Sequence, residues 1–286
     1  LDAAIIATFL AAAIRMATPL LLSAIGEIFA ERSGVLNLAV EGLMLMGAFM
    51  AYWGADQTKS AWFGLGAAAF VGILLGLLLG VLYVTLRLDQ IVAGLAANIV
   101  LVGIAAFMFR LIYGRLPFAV KVKGFGSAPI PYLSDIPFLG DVLFKHNILV
   151  YGALFLVPIA GFILYKTQFG LHVSAAGENP EAPDNVGVSV PWLRFLCLGI
   201  GGMMAALGGA FLTLGHIYMF VEEMTAGRGW IAIACVVFGR WNPKRALWGA
   251  LLFGAMDALQ LRLQAAGVAL PFQILSMFPY IACILA

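Results

Sequence analysis

The stretch AWFGLGAAAFVGILLGLLLGVLYVTL, residues 61–86, contains no acidic or basic side chain. A helix that crosses a bilayer needs about 20 predominantly apolar residues, and this stretch exceeds that length. Lipid offers no partner to open backbone groups, so a spanning segment closes its hydrogen bonds internally as a helix. The alternating pattern of a membrane β-barrel strand is absent. Working outward, comparable apolar runs fall at 3–26, 35–54, 91–113, 148–165, 192–215, 246–261 and 268–286. A further run, GWIAIACVVFG at 229–239, is apolar but too short for an ordinary crossing. The expected fold is an all-α polytopic membrane protein, one domain over 1–286, with eight to ten transmembrane or half-membrane helices.

Composition agrees. Of 286 residues, 63% are hydrophobic and only 10% charged, against about a quarter charged in soluble domains. A soluble core of this size does not hide so much apolar surface. The net charge of +2 is small and unclustered, which argues against nucleic acid as a partner. Cys197, Cys235 and Cys283 sit in apolar spans without metal or redox spacing. The stretch GADQTKS at 54–60 faintly resembles a phosphate-binding loop, but it lacks the second glycine before the lysine and no strand precedes it. His146, His172 and His216 are far apart. No constellation supports an enzyme. The chain begins at Leu1 rather than a methionine, so its natural N-terminus is expected upstream, and residues 3–26 are too long for a cleavable signal.

Lysine and arginine placement sets the expected orientation. RWNPKR at 240–245 holds three basic residues, and Lys166 and Arg194 flank the polar insert AAGENPEAPDNVGVSV at 175–190. Both regions are assigned to the cytoplasmic face. Glu222 and Glu223, and the long loop 114–147, then face outward. This alternation requires 229–239 to cross as half of a broken helix, with residues around 216–228 as the other half. GRGW at 227–230 then either starts a half-helix, with free N–H groups available to a solute, or is a plain turn.

Polar residues inside spans carry the functional reading. Ionisable groups are costly in lipid and tend to face a bundle interior or a hydrated path. Asn37 and Glu41, four apart, are placed on one helix face. Asn98 is mid-span, and Asp257, Gln260 and Gln264 form a stripe. Asn37, Glu41, Asn98, Asp257 and Gln260 are the candidate substrate path. The competing reading is interhelical hydrogen bonding, worth about 0.6–2 kcal/mol per contact. Gly72, Gly76 and Gly80, and Gly201, Ala205 and Gly209, recur at the spacing of closely packed helices.

The insert has its own local signals. Asn179–Pro180 reads as a cap followed by proline in the first helical position, and Asp184 falls in the first turn, where the helix dipole favours an anion. Pro183 offers a later start, and Gly187 a stop. A helix of one or two turns, within about 177–188, is expected on the cytoplasmic face.

EAPDNVG at 181–187 resembles the EAAxxxG loop of ABC importer permeases, with Pro183 in place of the second alanine. GEIFAERSGVLNLAVEGLMLMGA (26–48), AAGENPEAPDNVGV (175–188) and GRGWIAIACVVFGRWNPKRALWGALLFGAMDAL (227–259) are similar to permeases of the ribose, nucleoside and branched-chain amino acid branch, most of all its nucleoside and simple-sugar members. The resemblance implies a permease subunit of an ATP-binding cassette importer in the cytoplasmic (inner) membrane of a bacterium or archaeon. It implies that the short helix is a coupling helix, with Glu178, Asn179, Glu181, Asp184 and Gly187 meeting the ATPase. The implied partners are an ATPase subunit that binds ATP and Mg, a second permease subunit, and an extracytoplasmic solute-binding protein. This chain itself is expected to hold no cofactor or metal. Nucleosides lead as the solute, followed by simple sugars and vitamin-like heterocycles. An ion-coupled secondary transporter is the alternative mechanism, with Glu41 and Asp257 as its ion sites.

Overall fold

The computed structural model describes residues 3–114, 120–265 and 277. The long helices follow the apolar runs of the sequence, and two shorter polar ones form in the insert region. The helices are α1 (Ala3–Arg32), α2 (Val40–Thr58), α3 (Ala61–Gly80), α4 (Gln90–Tyr113), α5 (Leu139–Leu143), α6 (Ile148–Lys166), α7 (Gln168–Glu178), α8 (Glu181–Asn185), α9 (Val190–Phe211), α10 (Arg228–Phe238) and α11 (Pro243–Ala265). Wider π-helical turns extend α3 through Thr85 and α9 through Ile217. Among the described residues no β-strand forms, only one isolated antiparallel bridge between Ser127 and Asn147.

Short polar residues start the helices as the physics of orphan N–H groups requires. Asp89 accepts from Ile91 and Val92 at 3.0 and 2.9 Å to begin α4. Asn147 accepts from Val150 at 3.1 Å to begin α6, and Thr167 from Gly170 at 3.3 Å to begin α7.

Five helical segments are long and apolar enough to cross a membrane: Ala4–Arg32, Ala61–Thr85, Gln90–Tyr113, Ile148–Lys166 and Val190–Ile217. The chain is therefore a multi-pass, all-helical membrane protein. The expected run at 246–261 is helical within α11, and that at 35–54 only from Val40 onward, as α2; neither stands among those five. The expected run at 268–286, with Cys283, lies outside the described residues.

α9 joins two apolar cores. One surrounds α2, which packs on α3, α4 and α9 and is buried along nearly its whole length. The other surrounds α1, which packs on α6, α9, α10 and α11. Small residues let these backbones touch. A Cβ on Gly76 of α3 would be driven into the Leu198 carbonyl of α9, and one on Gly209 of α9 into the Met44 carbonyl of α2.

The bundle has two distinct ends. At one, Arg32 closes α1 against Ser174 of α7 and the carbonyl of Trp241, so the insert and the 239–242 turn lie together. At the other, Arg110 of α4 binds Glu222 at 2.7 Å. There Val122 donates its N–H to the Tyr218 carbonyl at 2.8 Å, and the Tyr52 hydroxyl donates to Val120 O at 3.0 Å. The groups that the charge pattern assigned to opposite faces occupy opposite ends.

Two expectations are corrected. Asn37 is not helical, because α2 begins only at Val40, so it shares no helix face with Glu41. The partner half of the broken helix is not a helix either. After the π-helical turns end at Ile217, residues 218–227 form turns, in which Tyr218, Glu223 and Ala226 adopt positive φ.

Candidate translocation path and docking surface

The path candidates gather around two breaks in the helices. The first is the connector 33–39 between α1 and α2. The N–H groups of Ser33, Gly34 and Val35 donate to carbonyls at the end of α1 and that of Leu36 to Gln90 Oε1 at 2.8 Å, while the buried donors of Asn37 must find acceptors of their own. Glu27, on α1 and only 1% exposed, provides them. Its Oε1 accepts the Asn37 N–H and its Oε2 the Asn37 side-chain amide, each at 3.1 Å. Asn37 Oδ1 then accepts the Ala39 N–H at 3.1 Å. In the first turn of α2, the orphan N–H of Gly42 donates to Asn98 Oδ1 of α4 at 2.6 Å. Gly42 has to be glycine here: a Cβ would lie 2.7 Å from the Leu101 Cβ.

The second break is the start of α10. Gly227 enters it at φ +82. The N–H groups of Gly227 and Gly229 donate to the two carboxylate oxygens of Glu41, at 2.9 and 2.6 Å. A carboxylate suits the positive end of a helix dipole. GRGW is therefore the start of a short apolar helix and not a plain turn, and its amide groups are taken by a residue of this same chain. Next to it, Arg228 Nη2 lies 3.4 Å from Asp257 Oδ2 of α11, while Nη1 donates to the Met224 and Thr225 carbonyls, both at 3.3 Å.

These contacts sort the five path candidates. Asn37, Glu41 and Asn98 spend their acceptors on backbone N–H groups, and Asp257 spends one on Arg228. Gln260 makes no side-chain hydrogen bond among the described residues. Among the described residues, Arg228 Nε and Gln264 Nε2 are buried without a hydrogen-bond partner. Glu31 Oε1, the Tyr83 hydroxyl and His146 Nδ1 are likewise buried without a partner among the described residues, away from the α10 start and the α11 stripe. The structure brings Glu41 to that start, while Asn37 and Asn98 support the connector and α2 behind it. Sequence reasoning missed Glu27 and Arg228. The signal for Glu27 is its place one residue beyond the apolar run 3–26, at the head of the charged stretch GEIFAER at 26–32.

At the insert, α8 spans Glu181–Asn185, narrower than the expected 177–188, because residues through Glu178 belong to α7. Asn179 Oδ1 accepts the Glu181 N–H at 3.2 Å and Pro180 leads the helix. Pro183 is inside α8 and buried, not a second start. Gly187 ends the turn at φ +82, its N–H donating to Asp184 O at 3.0 Å. Glu178, Asn179, Glu181, Asp184 and Gly187 are all exposed. The side chains that seat this insert on the bundle, Arg32 and Arg194, were not among the candidates.

The family described as branched-chain amino acid transport system / permease component matches residues 9–285. The chain is 38% identical to the putative glucose ABC transporter permease protein TsgC13 of Haloferax volcanii, over 97% of this chain and 90% of that one. It is 37% identical to the guanosine ABC transporter permease protein NupQ of Bacillus subtilis, over 94% of this chain and 88% of that one. With the nucleoside ABC transporter permease protein NupC of Lactococcus lactis subsp. cremoris it shares 32% identity, over 94% and 87%. No solved structure matches it.

Proposed function

The chain belongs to the branched-chain amino acid transport system permease family, and from that premise we propose that it is the membrane-spanning subunit of an ABC importer for nucleosides. The observation that carries this reading is the end-to-end likeness to a guanosine permease and a nucleoside permease. The energy comes from a separate ATPase that binds ATP and Mg. A second permease subunit completes the path, and an extracytoplasmic binding protein delivers the solute. The membrane is the cytoplasmic membrane of a bacterium or archaeon, with the insert end of the bundle inside the cell. In this reading α2, α10 and α11 join the five long apolar segments, and the whole reaches eight to ten membrane elements.

The solute passes the start of α10. Asp257 and Gln260, with Arg228 and Gln264, offer it hydrogen bonds. Glu41, Asn37 and Asn98 hold the surrounding backbone in shape. An uncharged, hydrogen-bond-rich solute suits a path whose carboxylates are already engaged. α8 and the end of α7 present Glu178, Asn179, Glu181, Asp184 and Gly187 to the ATPase. Hydrolysis belongs to that partner, not to this chain.

The likeness to a putative glucose permease favours a second reading, in which the solute is a simple sugar. One experiment separates the two. The chain is reconstituted in liposomes with its cognate ATPase, second permease and binding protein, and uptake of labelled guanosine and labelled glucose is followed with and without ATP. ATP-dependent guanosine uptake supports the nucleoside reading, and glucose uptake alone supports the other. Uptake by the isolated chain that collapses with an uncoupler would instead indicate ion coupling.

A further inference from the structure

Motion at α8 has two obvious covalent exits, through α7 to α6 and through the 186–189 segment to α9. The contacts around α7 supply a third route that ends at the path. The last turn of α7 lies directly on the connector 33–39. A Cβ on Gly177 would run into the Arg32 carbonyl, and one on Gly34 would lie 3.2 Å from the Gly177 Cα. Backbone rests on backbone here, with the Arg194 guanidinium beside the contact, and such close packing transmits displacement. One guanidinium fastens the joint: Arg194 Nε donates to Ser33 O at 3.1 Å, and Nη2 to Ala176 O at 3.4 Å. Arg32 adds bonds to the Ser174 hydroxyl at 3.1 Å and the Trp241 carbonyl at 2.9 Å. Further along, Asn37 is held by Glu27, and Glu41 holds Gly227 and Gly229.

We propose that the connector 33–39 is the strut that carries displacement of the insert to the start of α10, with Arg194 as the positioning residue that fastens α7 to it. The insert, the connector and the short helix α10 then move as one body with the Glu41 contact intact, and the path changes where that body shifts against the rest of the bundle. α10 suits this part, because its 11 residues rise only about 16 Å and its start is held by side-chain acceptors instead of a continuous helix. This inference rests on the proposed importer function.

The test uses the assembled importer in proteoliposomes and reads the solute moved per ATP hydrolysed. In Arg194→Gln, ATP hydrolysis with loaded binding protein stays near wild type, while solute moved per ATP falls by roughly tenfold, within what a coupling residue commands. Arg194→Lys, which keeps a donor and the charge, recovers part of the loss. An unchanged ratio in Arg194→Gln overturns the strut. Should that variant not assemble, spin labels on otherwise unaltered helices decide the matter. With labels at Val186→Cys and Val237→Cys, both exposed sites, the distance stays constant between nucleotide-free and ATP-trapped states. The distance from Val237→Cys to Phe70→Cys on α3 changes. Equal changes in both distances overturn the proposal. A wild-type importer without ATP-driven uptake would sink the importer function itself, which is a separate outcome.

Discussion

The carboxylate of Glu41 accepts the backbone N–H of Gly229 at 2.6 Å across 188 residues of chain. A side chain in the first turn of α2 thereby closes the open end of α10. The amide groups that a solute would otherwise meet there are already bound, so opening the path at this point means moving α2 and the start of α10 together.

Glu41→Gln keeps the shape of the side chain but replaces one acceptor with a donor. One of the two N–H groups at the start of α10 is then left facing an NH2. An unsatisfied buried donor costs about 1–3 kcal/mol. Lower thermal stability of the detergent-purified chain is expected, measured by a tryptophan or dye melt, together with altered uptake. A variant with wild-type melting and wild-type uptake would show that the contact is dispensable. Gly229→Ala is a harsher change, since its Cβ would lie 2.5 Å from the Glu41 Cα.

Asn98→Ala removes the acceptor of the Gly42 N–H. The expected loss is again about 1–3 kcal/mol, and uptake weakens while the ATPase still binds. Asn98→Asp keeps an acceptor at the same place and should restore most of the loss. Uptake kinetics identical to wild type in Asn98→Ala would separate Asn98 from the path.

Gly187→Ala places a Cβ at φ +82, a conformation that costs a non-glycine residue roughly 1–2 kcal/mol. Space is not the obstacle, because nothing lies within 4 Å of that Cβ. The expected outcome is a complex that assembles but whose ATPase no longer responds normally to loaded binding protein. Glu181→Lys, on the exposed face of α8, should do the same by reversing a charge at the docking surface. ATPase stimulation equal to wild type in both variants would count against the docking assignment.

His146, in the segment before α6, gives a pH dependence. Its Nε2 donates to Val142 O at 2.8 Å, and its Nδ1 is buried without a partner among the described residues. Burial holds its pKa below the usual 6.5, and the charge of Arg15 pushes the same way, while the bond to Val142 opposes them. The folded state therefore favours the neutral ring. Above the unfolded value this preference contributes fully to stability, and it is lost as pH falls from there through the folded value. His146→Gln preserves a donor for Val142 and removes the titration. Melting temperatures between pH 7.5 and 5.5 should fall more steeply for wild type than for this variant.

The sequence by itself determined the solvent and the element type. Residues 61–86 have no charge to place in water, and a chain in lipid closes its backbone bonds as helices. It also located the short helix near Glu181 from its asparagine, prolines and glycine, because capping chemistry is local. The polar residues of the spans were visible for the same reason: each stands out against apolar neighbours. Their partners were not. Asn37 with Glu27, Asn98 with Gly42, Asp257 with Arg228 and Glu41 with Gly229 join separate segments, and no spacing within one helix encodes such a pair. Even the place of Asn37, in a connector instead of a helix, depended on a buried acid on α1 that satisfies a non-helical backbone. Only the tertiary structure decided which acceptors are occupied and which remain for a solute, since a hydrogen bond depends on where two groups meet in space.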